Sequence, residues 1–320
     1  AIPFRLYLLL FPLRIMFYGQ ILNTLGRARW VFWSALGDLA RERWFRATWE
    51  RTVPDPDGFD PWPESVEADF RDVPVGIART EPRHGGRTEV RENERLHVEA
   101  IRQARSLIYL ENQYFTSPVI AAALAERLAE PDGPEVVLVS TGRSPSWFDS
   151  LTMDTARAEV LFRLESADRH DRFFAFSPNT TGGEPIIVHA KVTIVDDRIL
   201  RIGSTNLNNR SLGMDTECDV AAAPQDAEGW DTIRRFRHRT IAHFIGTTVA
   251  EFAAAEAALR SAGKAMRQFE TGRLTPLGAT PPSMIERAIA EFQIGDPISP
   301  ADAWRPWKRR NRSQRPQPAG

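Results

Sequence analysis

Several residues that suit phosphate chemistry stand close together between residues 188 and 217. His189 and Lys191 are two residues apart, and Ser204 and Asn206 follow a short apolar run. A neutral imidazole can act as a nucleophile or move a proton, and an ammonium group can neutralise phosphate oxygens. Phosphoryl transfer depends mainly on placing donors and positive charge around those oxygens. The segment therefore predicts a site for a phosphate group.

Lysine is rare in this chain. Lysine and arginine together number 41, but lysine occurs only at positions 191, 264 and 308. An ammonium group is a compact point charge, whereas a guanidinium group is a broad planar fork. We expect Lys191 to hold a phosphate at close range, where an arginine would sit differently.

The run from residue 186 to 196, IIVHAKVTIVD, is rich in β-branched residues and predicts a strand. Side chains two residues apart on a strand point to the same face. We therefore expect His189 and Lys191 to share one face, while the apolar residues between and around them fill the other. A rigid element would then hold the pair.

Three further residues extend the candidate site. Gly203 ends the next predicted strand and would let the backbone approach an anion closely. Asp196 has the opposite strand parity to His189, so we expect it to be a scaffold carboxylate at the end of the strand. Glu217 lies beyond the following turn and is the better candidate to hold the tautomer of the imidazole, as carboxylates do in other histidine-based sites.

The elements that must position these residues follow an α/β pattern. Helical and strand periodicities alternate from NERLHVEAIRQAR and SLIYLENQYF to FFAFSP, and ILRIGSTN and CDVAAA predict two more strands. A helix is expected from about residue 226 to 267. The predicted fold class is α/β, with a mixed β-sheet sandwiched between helices and a mostly irregular C-terminal tail.

The strand SLIYLENQYF ends in a polar cluster that contains Asn112 and Gln113. Sheets of this kind carry functional residues at their strand ends. Two interpretations of the cluster stay open. Its side chains bind substrate, or they cap the turn that follows the strand.

Composition shifts divide the chain into four segments. Residues 1–52 are apolar and helical, and we interpret them as a remnant of, or a junction to, a first lobe. Residues 53–79 form an acidic, proline-rich linker, and residues 80–270 form the catalytic lobe. Residues 271–320 are predicted to be an irregular, basic and mobile tail.

The overall composition excludes several classes of protein. The chain has 320 residues, 42% of them hydrophobic, and can bury a sizeable core. A formal net charge of −1 argues against a bulk electrostatic grip on nucleic acid. The single Cys218 excludes an intramolecular disulfide and a cysteine-built zinc site. Arg5, Pro12 and Arg14 interrupt the apolar start, which favours a buried or interface-lying segment over a membrane span.

The pattern H-x-K-x(4)-D-x(6)-G-S begins at His189 and ends at Ser204, and Asn206 lies two residues further on. This pattern resembles the signature of the phospholipase D superfamily. The resemblance extends over roughly residues 80–260 and includes the ENQ cluster. The motif and the ENQ cluster together give the candidate residues of the site. The catalytic candidates are His189, Lys191, Asp196, Asn206 and Glu217, and the substrate-binding candidates are Gly203, Ser204, Asn112 and Gln113.

The resemblance implies an active site built from two such motifs, which face each other across a cleft. One histidine forms a covalent phosphohistidine, and the other protonates the leaving group. No other histidine of this chain opens a second H-x-K. His189 is then the general acid if the first motif lies in a missing upstream half. It is the nucleophile in one subunit if two copies of the chain pair. No metal or other cofactor is implied.

The expected function is phospholipase D-type hydrolysis of phospholipid headgroups, by a cytoplasmic or peripheral membrane protein. Its partners would be phospholipid at a membrane surface and a second lobe with the same motif. The loop NLNNRS favours phospholipase D proper over cardiolipin synthases. The alternatives are phosphatidyl transfer of the cardiolipin synthase type, a single-motif dimeric nuclease, and a non-catalytic truncated lobe. The near-neutral charge makes nucleic acid an unlikely partner.

Overall fold

The computed structural model describes residues 28–53, 69–70, 73–144, 146–278 and 295–298. The apolar start of the chain and most of the basic tail lie outside these described residues. Within them, nine strands form one mixed sheet in the order β2-β1-β8-β7-β6-β3-β4-β5-β9. The strands are β1 (Val75–Glu81), β2 (Val90–Arg91), β3 (Leu107–Asn112), β4 (Glu135–Ser140), β5 (Phe173–Pro178), β6 (Lys191–Val195), β7 (Ile199–Gly203), β8 (Glu217–Ala222) and β9 (Leu274–Pro276).

Helices cover both faces of this sheet, which confirms the predicted α/β fold class. A short helical turn (Trp147–Asp149) and a π-helical turn (Ser150–Asp154) precede α4. No helix within the described residues is long and apolar enough to cross a membrane. The longer helices are α1 (Ala28–Thr48), α2 (Glu92–Gln103), α3 (Pro118–Ala129), α4 (Thr155–Ala167), α5 (Asn209–Gly213), α6 (Ala227–Ile245), α7 (Val249–Leu259) and α8 (Ala262–Gln268).

The sheet feeds two hydrophobic cores, one on each face. Strand β3 is buried along its whole length, and its alternate residues serve opposite cores. Ile108 and Leu110 pack with residues of α2, α3 and α4 on one face. Tyr109 packs with residues of α6, α7 and α8 on the other face. A strand buried on both sides needs apolar residues at most positions, which explains the apolar run from Leu107 to Leu110.

Strand directions determine which ends of the strands meet. Strands β3, β4 and β5 are parallel, whereas β6 is antiparallel to both β3 and β7. Lys191 at the start of β6 pairs with Asn112 at the end of β3. Gly203 at the end of β7 pairs with Asp219 near the start of β8. The ends of β3 and β7 and the starts of β6 and β8 therefore form one edge, which we call the site edge.

Two predicted elements were wrong in extent. The strand predicted over residues 186–196 forms only from Lys191 to Val195, so His189 lies in the extended segment before it. The helix predicted from 226 to 267 is three helices. Gly246 ends α6 with φ at 72°, and Arg260 ends α7 with φ at 52°. Left-handed backbone at these residues cannot continue a helix.

The sheet also extends beyond the predicted lobe. Strand β1 begins at Val75, inside the segment predicted to be a linker, and pairs with β8. Strand β9 adds residues 274–276 of the predicted irregular tail to the edge strand β5. Residues 295–298 of that tail are also described, and they contact the lobe. Short strands with mixed composition carry little periodicity, which is why the sequence did not indicate them.

A buried ion pair lies beneath the site edge. Arg201 of β7 and Asp219 of β8 are almost completely buried, and Arg201 Nε donates to Asp219 Oδ2 over 2.7 Å. Burial raises the pKa of Asp219, but the positive charge of Arg201 and the hydrogen bonds from Arg201 and Thr205 act together to hold this pKa below its usual value. Arg201 Nη2 also donates to the carbonyl of Thr205 over 3.1 Å, and the Thr205 N–H donates to Asp219 Oδ1.

The position of Asp219 in this pair explains why residue 203 is a glycine. A Cβ atom at Gly203 would lie 2.5 Å from Cα of Asp219 and would also collide with its carboxylate. Such a contact forces the paired strands apart. The glycine is therefore needed for close packing of β7 against β8, whatever it also does for a bound anion.

We expect Gly203→Ala to lower the free energy of unfolding by about 1–3 kcal/mol, the usual cost of overpacking a core. Chemical denaturation of the purified variant measures this change. Gly182→Ala is the matched control, because the nearest atom to its Cβ would be Thr180 Oγ1 at 3.8 Å. Equal losses in the two variants would contradict the packing argument.

A second buried carboxyl group, that of Glu111, belongs to β3 and lies on the same face of the sheet as Tyr109. Glu111 is 2% exposed, and the hydroxyl of Tyr109 donates to its Oε1 over 2.9 Å. Burial raises the pKa of Glu111 to about 7. Between about pH 4.5 and 7 the folded state therefore holds a proton that the unfolded state has released. Stability contributed by this group is present at low pH and lost as the pH rises through 7.

The variant Glu111→Gln should imitate the protonated side chain and keep the hydrogen bond from Tyr109. We expect it to match the wild type in free energy of unfolding at pH 5 and to exceed it by up to about 3 kcal/mol at pH 9. Urea titrations of both proteins at the two pH values measure the difference. A constant difference across this range would show that Glu111 does not titrate near neutrality.

Candidate active site

The site edge brings together three segments that the sequence singled out. Gln113 follows the end of β3, Lys191 begins β6, and the loop Ser204–Leu207 follows β7. Leu207 also forms a parallel bridge with Phe115, just beyond Gln113. Because antiparallel pairing places the start of one strand beside the end of the next, residues far apart in sequence meet here.

His189 is exposed and lies two residues before β6. The preceding residue, Val188, is buried in the core, and its N–H donates to Thr141 Oγ1 over 3.0 Å. The carbonyl of His189 accepts a hydrogen bond from Lys191 Nζ over 2.9 Å. The backbone on both sides of the imidazole is therefore fixed, while the ring faces solvent and is free to meet a substrate or a second lobe.

Lys191 has the most unusual environment of the predicted residues. The residue is only 6% exposed, and its ammonium group donates to two neutral acceptors, the carbonyl of His189 and, over 3.4 Å, Oε1 of Gln113. No carboxylate among the described residues forms a salt bridge with it. Burial lowers the pKa of Lys191, and the negative charge of Glu217 counteracts part of this effect. A desolvated cation without a direct anionic partner is suited to an anionic ligand.

The loop Ser204–Leu207 is shaped by Asn112. Asn112 Oδ1 accepts from the N–H of Leu207 over 3.0 Å, and its Nδ2 donates to the carbonyl of Thr205 over 3.4 Å. Asn112 Oδ1 also accepts from the N–H of Tyr114, over 3.3 Å, in the turn that follows β3. Asn112 therefore holds the loop and caps this turn, and substrate binding by Asn112 stays a prediction. Asn206 is half-buried on the same loop, and its Oδ1 is buried without a hydrogen-bond partner in the described residues. Gln113, in contrast, contacts Lys191.

Glu217 lies at the start of β8, close to Ser204 and Ser211. The hydroxyl of Ser204 donates to Glu217 Oε2, and Ser211 also forms a hydrogen bond with this carboxylate. Burial raises the pKa of Glu217, and these hydroxyl groups partly offset the effect. No hydrogen bond joins Glu217 to the His189 imidazole in the described part of the chain. That Glu217 holds the imidazole tautomer stays a prediction.

Asp196 belongs to the motif but lies at the other end of β6. Five residues separate it from Lys191, which is about 16 Å along a strand. Its carboxylate accepts hydrogen bonds from the N–H groups of Arg105, Ser106 and Leu107, at 2.7–3.0 Å. Asp196 thus fastens the start of β3 to the end of β6. The residue is a scaffold carboxylate that does not reach a phosphate at the site edge.

Sequence reasoning missed the buried layer beneath these residues. Thr193 of β6 is in contact with Arg201 Nη1 on one side and with His97 Nε2 on the other, each over 3.4 Å. His97 of α2 is buried, and burial together with the charge of Arg201 lowers its pKa, so the imidazole is neutral. One signal was available. Thr193, Arg201 and Asp219 are polar residues that interrupt otherwise apolar strands.

These positions define what the arrangement can do chemically. The ammonium group of Lys191 and the amide of Asn206 can neutralise and bind phosphate oxygens, and the exposed imidazole can attack phosphorus or transfer a proton. A single imidazole cannot act at the same time as nucleophile and as proton donor to the leaving group. The site edge can therefore supply at most one half of a two-histidine reaction.

Comparisons with known proteins agree with this chemistry. Residues 97–235 match a family model described as "Cardiolipin synthase, PLD-like domain". Cardiolipin synthase A of Pseudomonas putida (strain W619) is 30% identical over 129 residues, which are 40% of this chain and 24% of that protein. Phospholipase D1 of Saccharomyces cerevisiae is 30% identical over 175 residues, which cover 41% of this chain and 10% of that protein.

Among solved structures, Nuc from Salmonella typhimurium, described as a phospholipase D family member, has a TM-score of 0.37 and 20% identity. It covers 52% of this chain, and 92% of Nuc is matched. The chain spans about a quarter or less of the curated relatives named above. Both synthase and phospholipase relatives match, so the preference for phospholipase D proper stays a prediction. The stretch matched by the family model, residues 97–235, contains the whole motif from His189 to Asn206, and this part of the chain belongs to the phospholipase D superfamily.

Proposed function

We propose that this chain cleaves the headgroup phosphodiester of phospholipids by the phospholipase D reaction. The products would be phosphatidic acid and a free alcohol such as choline. One observation carries the proposal. The buried ammonium group of Lys191 has only neutral hydrogen-bond acceptors, although it lies beside His189 at an open strand edge.

Other buried cations of this protein show why Lys191 is exceptional. Arg201 is paired with Asp219, and Arg237 is paired with both Asp197 and Glu256. Burying a charge without an opposite charge costs free energy, so proteins retain such a group chiefly where a ligand supplies the opposite charge. A phosphodiester at the site edge would supply it. The same ligand would accept a hydrogen bond from the side-chain NH₂ group of Asn206.

The reaction we infer has two steps. In the first, an imidazole attacks the phosphorus, the bond between phosphorus and the headgroup oxygen breaks, and a second imidazolium protonates that oxygen. In the second, the second imidazole takes a proton from water, the hydroxide attacks phosphorus, and the phosphorus–nitrogen bond breaks. Lys191 and Asn206 would stabilise the charge on the non-bridging oxygens in both steps.

The second imidazole must come from a second lobe. We propose either another stretch of a longer protein or a second copy of this chain as its source. With a second copy, His189 of one subunit is the nucleophile and His189 of the other is the general acid. With a different first lobe, His189 is the general acid. In both cases the exposed position of His189 allows it to face the second motif.

The substrate class we propose requires access to a lipid surface. Trp147 is 77% exposed in the short helical turn after β4, and Phe148 packs edge-on against it. Exposed aromatic rings of this kind prefer the interface between water and lipid. We propose that the protein works at the membrane periphery, with this turn directed toward the lipid.

Phosphatidyl transfer to an alcohol is the second candidate function. It is favoured by the description of the matching family model and by the cardiolipin synthases among the relatives. The first step is the same for hydrolysis and transfer. In the second step, an alcohol instead of water attacks the phosphohistidine, so the products distinguish the two functions.

Product analysis tests the proposal. The purified chain, at several concentrations, is incubated with phospholipid labelled in the acyl chains, with and without added glycerol. We expect labelled phosphatidic acid in both samples, and loss of at least 99% of it in His189→Ala. The control His243→Ala, which removes another exposed histidine, should remain active. Phosphatidylglycerol without phosphatidic acid would contradict the hydrolase and support the transferase. No headgroup release by the paired chain would contradict both.

Lys191→Arg tests whether placement matters as much as charge. The guanidinium group is larger than the ammonium group and does not fit between the carbonyl of His189 and the amide of Gln113. We expect kcat to fall by about 100-fold or more, the range seen when one oxyanion-stabilising group is lost. Lys264→Arg is the control, because Lys264 is half exposed and pairs with Asp171 far from the site edge. Wild-type turnover in Lys191→Arg would show that only the charge is needed.

A further inference from the structure

A short segment from the C-terminal part of the chain lies against the site edge. Asp296 in this segment is 3% exposed. Its Oδ2 accepts from the hydroxyl of Thr116 over 2.7 Å and from the N–H of Asn209 over 2.9 Å, and its Oδ1 accepts from the N–H of Arg210 over 2.9 Å. The amide of Asn209 donates in return to the carbonyl of Asp296 over 3.1 Å.

These donors belong to the two loops that carry site residues. Thr116 follows Gln113, which contacts Lys191. Asn209 begins α5, directly after the loop that carries Asn206. The N–H groups of Thr116 and Ser117 also donate to the carbonyl of Leu207, over 2.9 and 3.0 Å. The Asp296 carboxylate therefore joins the two loops at a point close to both site residues.

The segment fits closely into its place. A Cβ atom at Gly295 would lie 2.8 Å from Cβ of Thr152, so only glycine allows this approach. Pro297 is buried, and Arg91 donates to the carbonyl of Ile298 over 3.5 Å. We call residues 295–298 the strap. The strap thus contacts three places: Thr152 in the π-helical turn, Asn209 at the start of α5, and Arg91 just before α2.

Burial of the Asp296 carboxylate is costly, and it raises the pKa of this group. The three donors offset the cost, because charge-assisted hydrogen bonds are stronger than neutral ones. The strap adds no strand to the nine-stranded sheet of the described residues, so this sheet does not depend on the contact. What the contact does fix is the distance between the two loops.

We propose that Asp296 is a positioning residue for the candidate active site, and that the strap holds Asn206 in register with Lys191 and Gln113. Displacements of an ångström or less in such groups reduce catalysis strongly. The expected loss of turnover when Asp296 is replaced rests on the proposed function. The expected loosening of the loop that carries Asn206 does not depend on that function.

The test compares Asp296→Asn with Glu135→Gln in the full chain. Glu135 is a matched control, because it is a half-buried carboxylate whose pKa is also raised by burial, and it accepts from Ser261 Oγ and from the N–H groups of Ala262 and Gly263. It lies at the start of β4, at the edge opposite the site. Both variants remove one carboxylate oxygen from a cluster of donors, so both should lose similar thermal stability.

We expect Asp296→Asn to lower kcat on phospholipid about 10-fold or more, with KM changed less than about 3-fold, while Glu135→Gln keeps kcat within about 2-fold of wild type. Equal kcat values for the two variants at equal stability would overturn the proposal. Both variants are expected to lose stability, so stability does not distinguish a positioning role from a structural one. The comparison of kcat decides between these roles when the wild type cleaves phospholipid.

Amide hydrogen exchange supplies a readout that does not need turnover. In Asp296→Asn, the N–H groups of Leu207, Asn209 and Arg210 should exchange at least about 10-fold faster, and in Glu135→Gln they should not. If the wild type fails to cleave phospholipid, the proposed function fails and the exchange of Leu207 alone decides the proposal. Unchanged exchange of Leu207 in Asp296→Asn would overturn it.

Discussion

The buried pair of Arg201 and Asp219 is the constraint on which the site edge depends. Both charges lie out of reach of water, so each must be matched closely by the other. Their geometry fixes β7 against β8 and requires a glycine at position 203. The guanidinium and carboxylate groups also hold both backbone groups of Thr205, which sets the course of the loop that presents Asn206. Removing one member would leave an unpaired buried charge beneath the site.

Lys191 shows the opposite arrangement, only two strands away from Asp219. Its charge is desolvated but bonded to neutral acceptors, which lowers its pKa and leaves it ready for an anion. The deeply buried Arg201 and Arg237 are thus matched by carboxylates, whereas the ammonium group of Lys191 is not. This contrast links the fold to the proposed chemistry, since a phosphodiester would bring a negative charge to an ammonium group that forms no salt bridge within the described residues. The strap adds a further constraint from the outside, through the Asp296 carboxylate.

The sequence predicted the parts of this structure that depend on local pattern. Apolar runs and helical spacing indicated the α/β sandwich, and the spacing from His189 to Asn206 indicated the phosphate site. The sequence did not indicate contacts between distant segments. Thr116 and Asp296 are 180 residues apart, and Asn112 meets Leu207 across 95 residues. Such pairs depend on strand order and on how loops meet at an edge of the sheet. Local periodicity predicts neither of these. The late start of β6, two residues after His189, was missed for the same reason.

The central claim is that the site edge is half of an active site and works only beside a second lobe with the same motif. Size-exclusion chromatography with light scattering, with phosphodiesterase activity measured in every fraction, tests this claim most directly. The account predicts that activity follows the fractions in which the lobe is paired and is absent from monomer fractions. Full turnover by a strictly monomeric chain would contradict the account, because His189 alone cannot be both nucleophile and general acid.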